Sequence, residues 1–74
     1  MKLLKLDAEQ SIVPKNLVAI FYSDKDLSTI VVVAGIGGLK VKDHYEDVVK
    51  RATEAGVMLA PVGKKQYINI SLWS

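Results

Sequence analysis

The chain has no cysteine, which excludes disulfide bridges, thiolate nucleophiles and cysteine-ligated metals and leaves nothing that demands an oxidising compartment. It has one histidine, His44, so a metal or acid–base site built on imidazole would have to find its other groups elsewhere. Neither sign of charge dominates. Ten basic and eight acidic residues leave a net charge of +2 and a pI near 9.0, compatible with nucleic acid but well short of a clear electrostatic footprint. Long apolar runs are missing too. The longest uncharged stretch, Leu27–Leu39, has 13 residues and three glycines, where a membrane-spanning helix needs about 20 apolar residues. The opening MKLLKL lacks the apolar core of a secretory signal. The expectation is a soluble, cytoplasmic protein with no membrane partner.

What is present is apolar surface. Half of the 74 residues are hydrophobic and 24% are charged, a globular composition in a chain near the lower limit for sustaining a single core. One domain spanning residues 1–74 follows. A chain this short cannot hide so much apolar surface, so self-association is expected from composition alone.

The clearest local signal is Asp43–Gly56, which reads as a helix. Asp43 is a suitable N-cap and Glu46 completes a capping box. Tyr45, Val48, Val49 and Ala52 fall on one apolar stripe. Glu46 and Asp47 lie in the first turn, Lys50 and Arg51 near the end, giving dipole complementarity and two i,i+4 pairs. Gly56 supplies a left-handed stop. With one apolar stripe, this helix must lie against something flat.

The remainder reads as strand and turn. Lys2–Leu6 is a short strand with Leu4 and Leu6 on one side, Asp7–Gln10 a polar turn, and Ser11–Val13 an extended segment before Pro14. Leu17–Tyr22 alternates, with Leu17, Ala19 and Phe21 on one face and Val18, Ile20 and Tyr22 on the other. After the turn Ser23–Asp26, Thr29–Ala34 is apolar on both faces, as in a central strand covered on both sides. Gly35–Gly38 turns the chain into Leu39–Lys42. Beyond the helix, Val57–Val62 is a short apolar run, Lys64–Lys65 a turn, and Gln66–Trp73 a final alternating strand. The predicted class is α+β: a small antiparallel sheet of about four to six strands with one helix on one face. The opposite face has no second helix to cover it.

Catalytic motifs do not assemble. The glycines of Gly35–Gly38 do not open into a helix, as a phosphate cradle requires. Asp24 and Asp26 recur as in a calcium loop, but its sixth and twelfth positions hold Thr29 and Gly35. No nucleophile elbow is present, and so small a fold leaves little room for a substrate pocket. A non-enzymatic protein without cofactor, metal or small-molecule substrate is expected.

One constellation stands out. In the alternating final strand, Tyr67, Asn69, Ser71 and Trp73 share a face, opposite Ile68, Ile70 and Leu72. Lys64 and Lys65 precede them, and Lys40 and Lys42 occupy a neighbouring polar face. Aromatics that cover an open sheet face form subunit interfaces, which implies a homo-oligomer or another protein as partner. The same groups could hold single-stranded nucleic acid, with bases stacked on the rings and lysines on the phosphates.

From Leu3 to about Ala52, the series Val13-Pro14-Lys15-Asn16-Leu17-Val18, the strand Thr29–Ala34, Gly38, Val41-Lys42-Asp43 and Glu46-Asp47-Val48 resembles the FlbD-like small flagellar accessory proteins. That resemblance implies a small, non-catalytic accessory or regulatory protein of bacterial or phage type, with no active-site residues to carry over.

Overall fold

The computed structural model describes residues 3–73, with the side chains of Leu72 and Trp73 excepted. Seven strands and one helix follow in the order β1 (Leu4–Lys5), β2 (Ser11–Ile12), β3 (Leu17–Ser23), β4 (Ser28–Val33), β5 (Gly37–Val41), α1 (Tyr45–Glu54), β6 (Leu59–Gly63) and β7 (Gln66–Asn69). The class is α+β, as the residue pattern predicts. A five-stranded antiparallel sheet runs β5-β4-β3-β7-β6, and β1 and β2 form a separate two-stranded ribbon.

The core lies between one face of the large sheet and a lid made of α1 and the ribbon. Leu4, Leu6 and Ile12 come from the ribbon and the residue beyond it, Leu17, Ile20, Val31, Val33 and Val41 from the sheet, and Val48 and Ala52 from α1. Tyr45 and Val49, the other members of the predicted stripe, pack against this cluster from its margin. A β-bulge between Leu17 and Ala19 sets the phase of β3. The extra residue puts both Leu17 and Ile20 on the lid side and sends Ala19 and Phe21 to the other. The expected grouping of Leu17 with Ala19 and Phe21 is therefore corrected.

Two further expectations change. The helix is capped by His44, whose Nδ1 accepts the Glu46 N–H at 3.2 Å, and not by Asp43. Asp43 instead accepts a 2.6 Å hydrogen bond from Arg51 Nη2, and Arg51 also reaches the Leu6 carbonyl and the Asp47 carbonyl. Arg51 is thus committed to tying α1 to its entry and to the ribbon, in place of the predicted pair with the Asp47 carboxylate. The C-terminus behaves as predicted. Gly56 has φ of 92°, the Gly56 N–H reaches the Thr53 carbonyl, and the Val57 N–H reaches the Ala52 carbonyl. This is a Schellman stop, with Val57 packed beside Ala52 in the core.

The final strand ends early. Gln66–Asn69 pairs with β3 and β6, but Ile70–Trp73 is a 3-10 turn, so the predicted strand to Trp73 is cut in half. Lys2 and Ser74 lie outside the described residues. Among the described residues no helix is long and apolar enough to cross a membrane.

Asp7 fastens the ribbon to the sheet. It is only 2% exposed. Its Oδ1 accepts the Glu9 N–H at 2.8 Å, and its Oδ2 accepts from the Lys42 N–H at 3.1 Å and from Gln10 Nε2 at 3.0 Å. Gln10 Nε2 also donates to the Lys40 carbonyl. A buried carboxylate is tolerated only with such donors. The N–H of Glu9, then that of Lys42, then the Gln10 amide hold its pKa at about 2, below the ordinary 3.8. Because the folded pKa is the lower one, this group's stabilisation is complete above the unfolded value and is lost as pH falls through the folded value. Thermal unfolding followed by circular dichroism should lose stability between about pH 4 and about pH 2, and Asp7→Asn should remove part of that slope. An unchanged slope in the variant would mean that Asp7 is not the group being protonated.

Candidate interaction face

Alternation in the paired strands, with the bulge counted, decides which side chains leave the core. On the face away from the lid, Ala19 lies beside Val32 and Ile68, Phe21 beside Ile30 and Gln66, and Ala60 beside Ile68. Gly38 and Lys40 continue the two rows onto β5, opposite Val32 and Ile30. Val62 extends β6 at the other side and is 55% exposed. Ala19, Phe21, Ile30, Val32, Ala60 and Ile68 thus make one contiguous apolar surface, each member only partly buried. Within it, Ala19, Phe21, Val62, Gln66 and Ile68, with Tyr67 between the last two, line a shallow hollow of about 240 Å³. The small Ala19 at its floor accounts for the depression. The two-sided apolar character of Thr29–Ala34 is real, but only one of its faces is covered within the described residues.

Each edge of the sheet is interrupted against the pairing that open strands invite. β6 carries Pro61, which has no N–H to offer a neighbour. At β5 the ribbon occupies the outer groups: the Lys40 carbonyl accepts from Gln10 and the Lys42 N–H is held by Asp7.

The residues singled out in the final strand are divided by this geometry. Tyr67 and Asn69 point to the lid side, across from Ile20 and Leu59, whereas Ile68 is on the open face. The expected assignment of faces is thus inverted. Tyr67 joins Tyr22 and Tyr45 in a cluster with ring centroids 6.1 Å apart for Tyr22–Tyr45 and 6.5 Å for Tyr45–Tyr67. His44 stacks at 4.7 Å from Tyr45, and these rings close the end of the helix–sheet sandwich. Asn69 is 2% exposed. It donates to the Leu17 carbonyl at 2.7 Å, beside the bulge, and accepts the Ser71 N–H at 3.0 Å. Ser71 Oγ accepts the Met58 N–H, which fastens the terminal turn to the start of β6. The Trp73 side chain lies outside the described residues.

The lysines are scattered as well. Lys65 lies 5.0 Å from the Tyr22 ring centroid and 3.7 Å from Asp24. Its carbonyl accepts the Tyr22 N–H, so the turn it shares with the exposed Lys64 docks on the end of β3. Lys42 meets Glu9 at 3.5 Å on the ribbon side, and Lys40 stands at the edge of the open face. Exposed pairs of this kind contribute only about 0–1 kcal/mol each. Tyr22 shares one shallow hollow with His44, Tyr45 and Lys65 and another with His44, Lys40 and Lys42, so the lysines are divided between two sites around that ring.

Among the described residues no group of three or more His, Asp or Glu side chains is placed to hold a metal ion. His44 Nδ1 is committed to capping α1. No family model, curated protein or solved structure matches the chain. The functional reading therefore rests on the residues themselves.

If Asn69 is part of the scaffold, Asn69→Ala should destabilise the fold by about 1–3 kcal/mol, because the Leu17 carbonyl loses its donor in a buried site. Urea unfolding measures this. A variant as stable as the parent would return Asn69 to the set of surface residues.

Proposed function

We propose that this is a small, non-catalytic protein-binding module that associates with itself through the open face of its sheet. The observation that carries the reading is the row of Ala19, Phe21, Ile30, Val32, Ala60 and Ile68, left without a lid among the described residues and with Lys40 at its margin. An apolar centre bounded by polar residues is the anatomy of a subunit contact.

The size is adequate for a modest contact. Strands about 4.8 Å apart and a rise of about 3.3 Å per residue make five strands by five residues a footprint on the order of 400 Å². A standard interface buries about 800 Å² per partner, so the face together with its rim supports a reversible dimer and not an obligate one. Interrupted edges favour this mode over strand addition.

The groups considered for single-stranded nucleic acid are split between the lid-side ring cluster, the ribbon and the open face, so protein contact is the better-supported reading. A regulatory or accessory role in a bacterial or phage cytoplasm accords with the FlbD-like resemblance and with the cysteine-free composition.

Size-exclusion chromatography with light scattering tests this reading. At tens of micromolar the parent should run at about twice its 8.1 kDa chain mass, and Phe21→Asp, folded by circular dichroism, should run as a monomer. A monomeric parent, or an unaltered mass in the variant, would defeat it.

A further inference from the structure

The open face is corrugated, and its corrugation matches itself. Read across the strands from β5 to β6, one row runs Gly38, Val32, Ala19, Ile68, Ala60. Within this row small and large side chains alternate, so its ridges, Val32 on β4 and Ile68 on β7, are separated by grooves at Gly38, Ala19 and Ala60. The next row runs Lys40, Ile30, Phe21, Gln66, with Val62 beyond it on β6.

Resting on the self-association reading, we infer that the partner is a second copy of this chain, stacked sheet on sheet about a two-fold axis that runs along the strands between β3 and β7. Sheets packed face to face lie about 10 Å apart, which requires side chains to interdigitate and not to meet crest to crest. A two-fold axis placed between neighbouring strands shifts the facing sheet by one column and sets ridges into grooves.

Of the axes that keep four strands of each sheet in contact, two satisfy that requirement in the Ala19 row, and chemistry separates them. With the axis between β3 and β7, Ile68 of each copy sits over Ala19 of the other, and Val32 sits over Ala60. Phe21 then enters the 240 Å³ hollow lined by Ala19, Val62, Gln66 and Ile68 of the other copy. Val62, the most exposed apolar side chain of the face, is covered, and Lys40 stays in water. With the axis between β3 and β4, Val32 would sit over Ala19 and Ile68 over Gly38. Lys40 would then be drawn against Gln66, and Ala60 and Val62 would stay wet. Burying a lysine while leaving apolar residues exposed is the costlier choice. The axis between β3 and β7 follows. Because each sheet twists, the facing strands cross at about 30°, and the match is tightest at the centre, where Ala19 and Ile68 lie.

The absence of native cysteine allows a direct test, since each introduced thiol is the only one in its chain. Equimolar mixtures of Ala19→Cys with Ile68→Cys, and of Ala19→Cys with Val32→Cys, are treated with a short bismaleimide. The linker is preferred because facing Cβ atoms at this sheet spacing exceed disulfide reach. All three substitutions lie on the open face, and circular dichroism verifies folding. The Ala19–Ile68 mixture should yield several-fold more cross-linked heterodimer than the Ala19–Val32 mixture. Equal yields, or the reverse order, would overturn this axis while leaving self-association intact. A monomeric parent in light scattering would remove the reading underneath it. Two variants check the arrangement without cross-linking. Ala19→Leu, which fills the groove, should weaken the dimer at least tenfold, and Lys40→Ala should leave its dissociation constant within twofold. A marked tightening from Lys40→Ala, which would relieve a lysine buried against Gln66, would favour the rejected axis.

Discussion

A five-stranded sheet has two faces, and this chain has enough other structure to cover one. That constraint organises the molecule. The helix and the ribbon together make a single lid, and their apolar stripes are used up in forming one core with Leu17, Ile20, Val31 and Val41. What remains on the far side is a surface that water tolerates poorly and that no segment among the described residues covers. The bulge at Leu17–Ala19 sharpens the division, because it commits Leu17 and Ile20, three residues apart on β3, to the lid side.

Polar contacts hold the lid in place where apolar packing alone would allow it to slide. Asp7 bonds the ribbon to the end of β5, Arg51 bonds the helix to the ribbon and to Asp43, and Asn69 bonds the last strand to β3 beside its bulge. Each links segments far apart in sequence. Each is also a buried or half-buried polar group with partners, the condition under which such groups specify an arrangement and do not merely weaken a core. The same contacts occupy one end of the β5 edge, so the geometry that fastens the lid leaves the open face as the surface for the proposed association.

Much of the fold is legible in the residues. The helix stripe, its glycine stop, the glycine turn and the α+β class follow from local periodicity and turn chemistry. The misreadings arise where a distant contact decides between local options of equal merit. Asp43 and His44 are both competent caps, and Asp43 is claimed by Arg51, eight residues on. The alternation of Gln66–Asn69 is correct in period but silent on phase. Tyr67 and Asn69 look like surface residues until the Leu17 carbonyl and the rings of Tyr22 and Tyr45 give them lid-side partners. The open apolar face is legible in part in the two-sided apolar strand Thr29–Ala34 and in Ala19 and Phe21 sharing a side. Its completion by Ile68 and Ala60 depends on strand order, which no local pattern supplies.

The most direct test of the unlidded face is a dilution series of amide correlation spectra. Residues of β3, β4 and β7 around Ala19, Phe21, Ile30, Val32 and Ile68 should shift with concentration, and those of α1 should stay fixed. Shifts centred on α1 or on the Tyr22–Tyr45–Tyr67 cluster, or spectra unchanged over the range, would contradict the account.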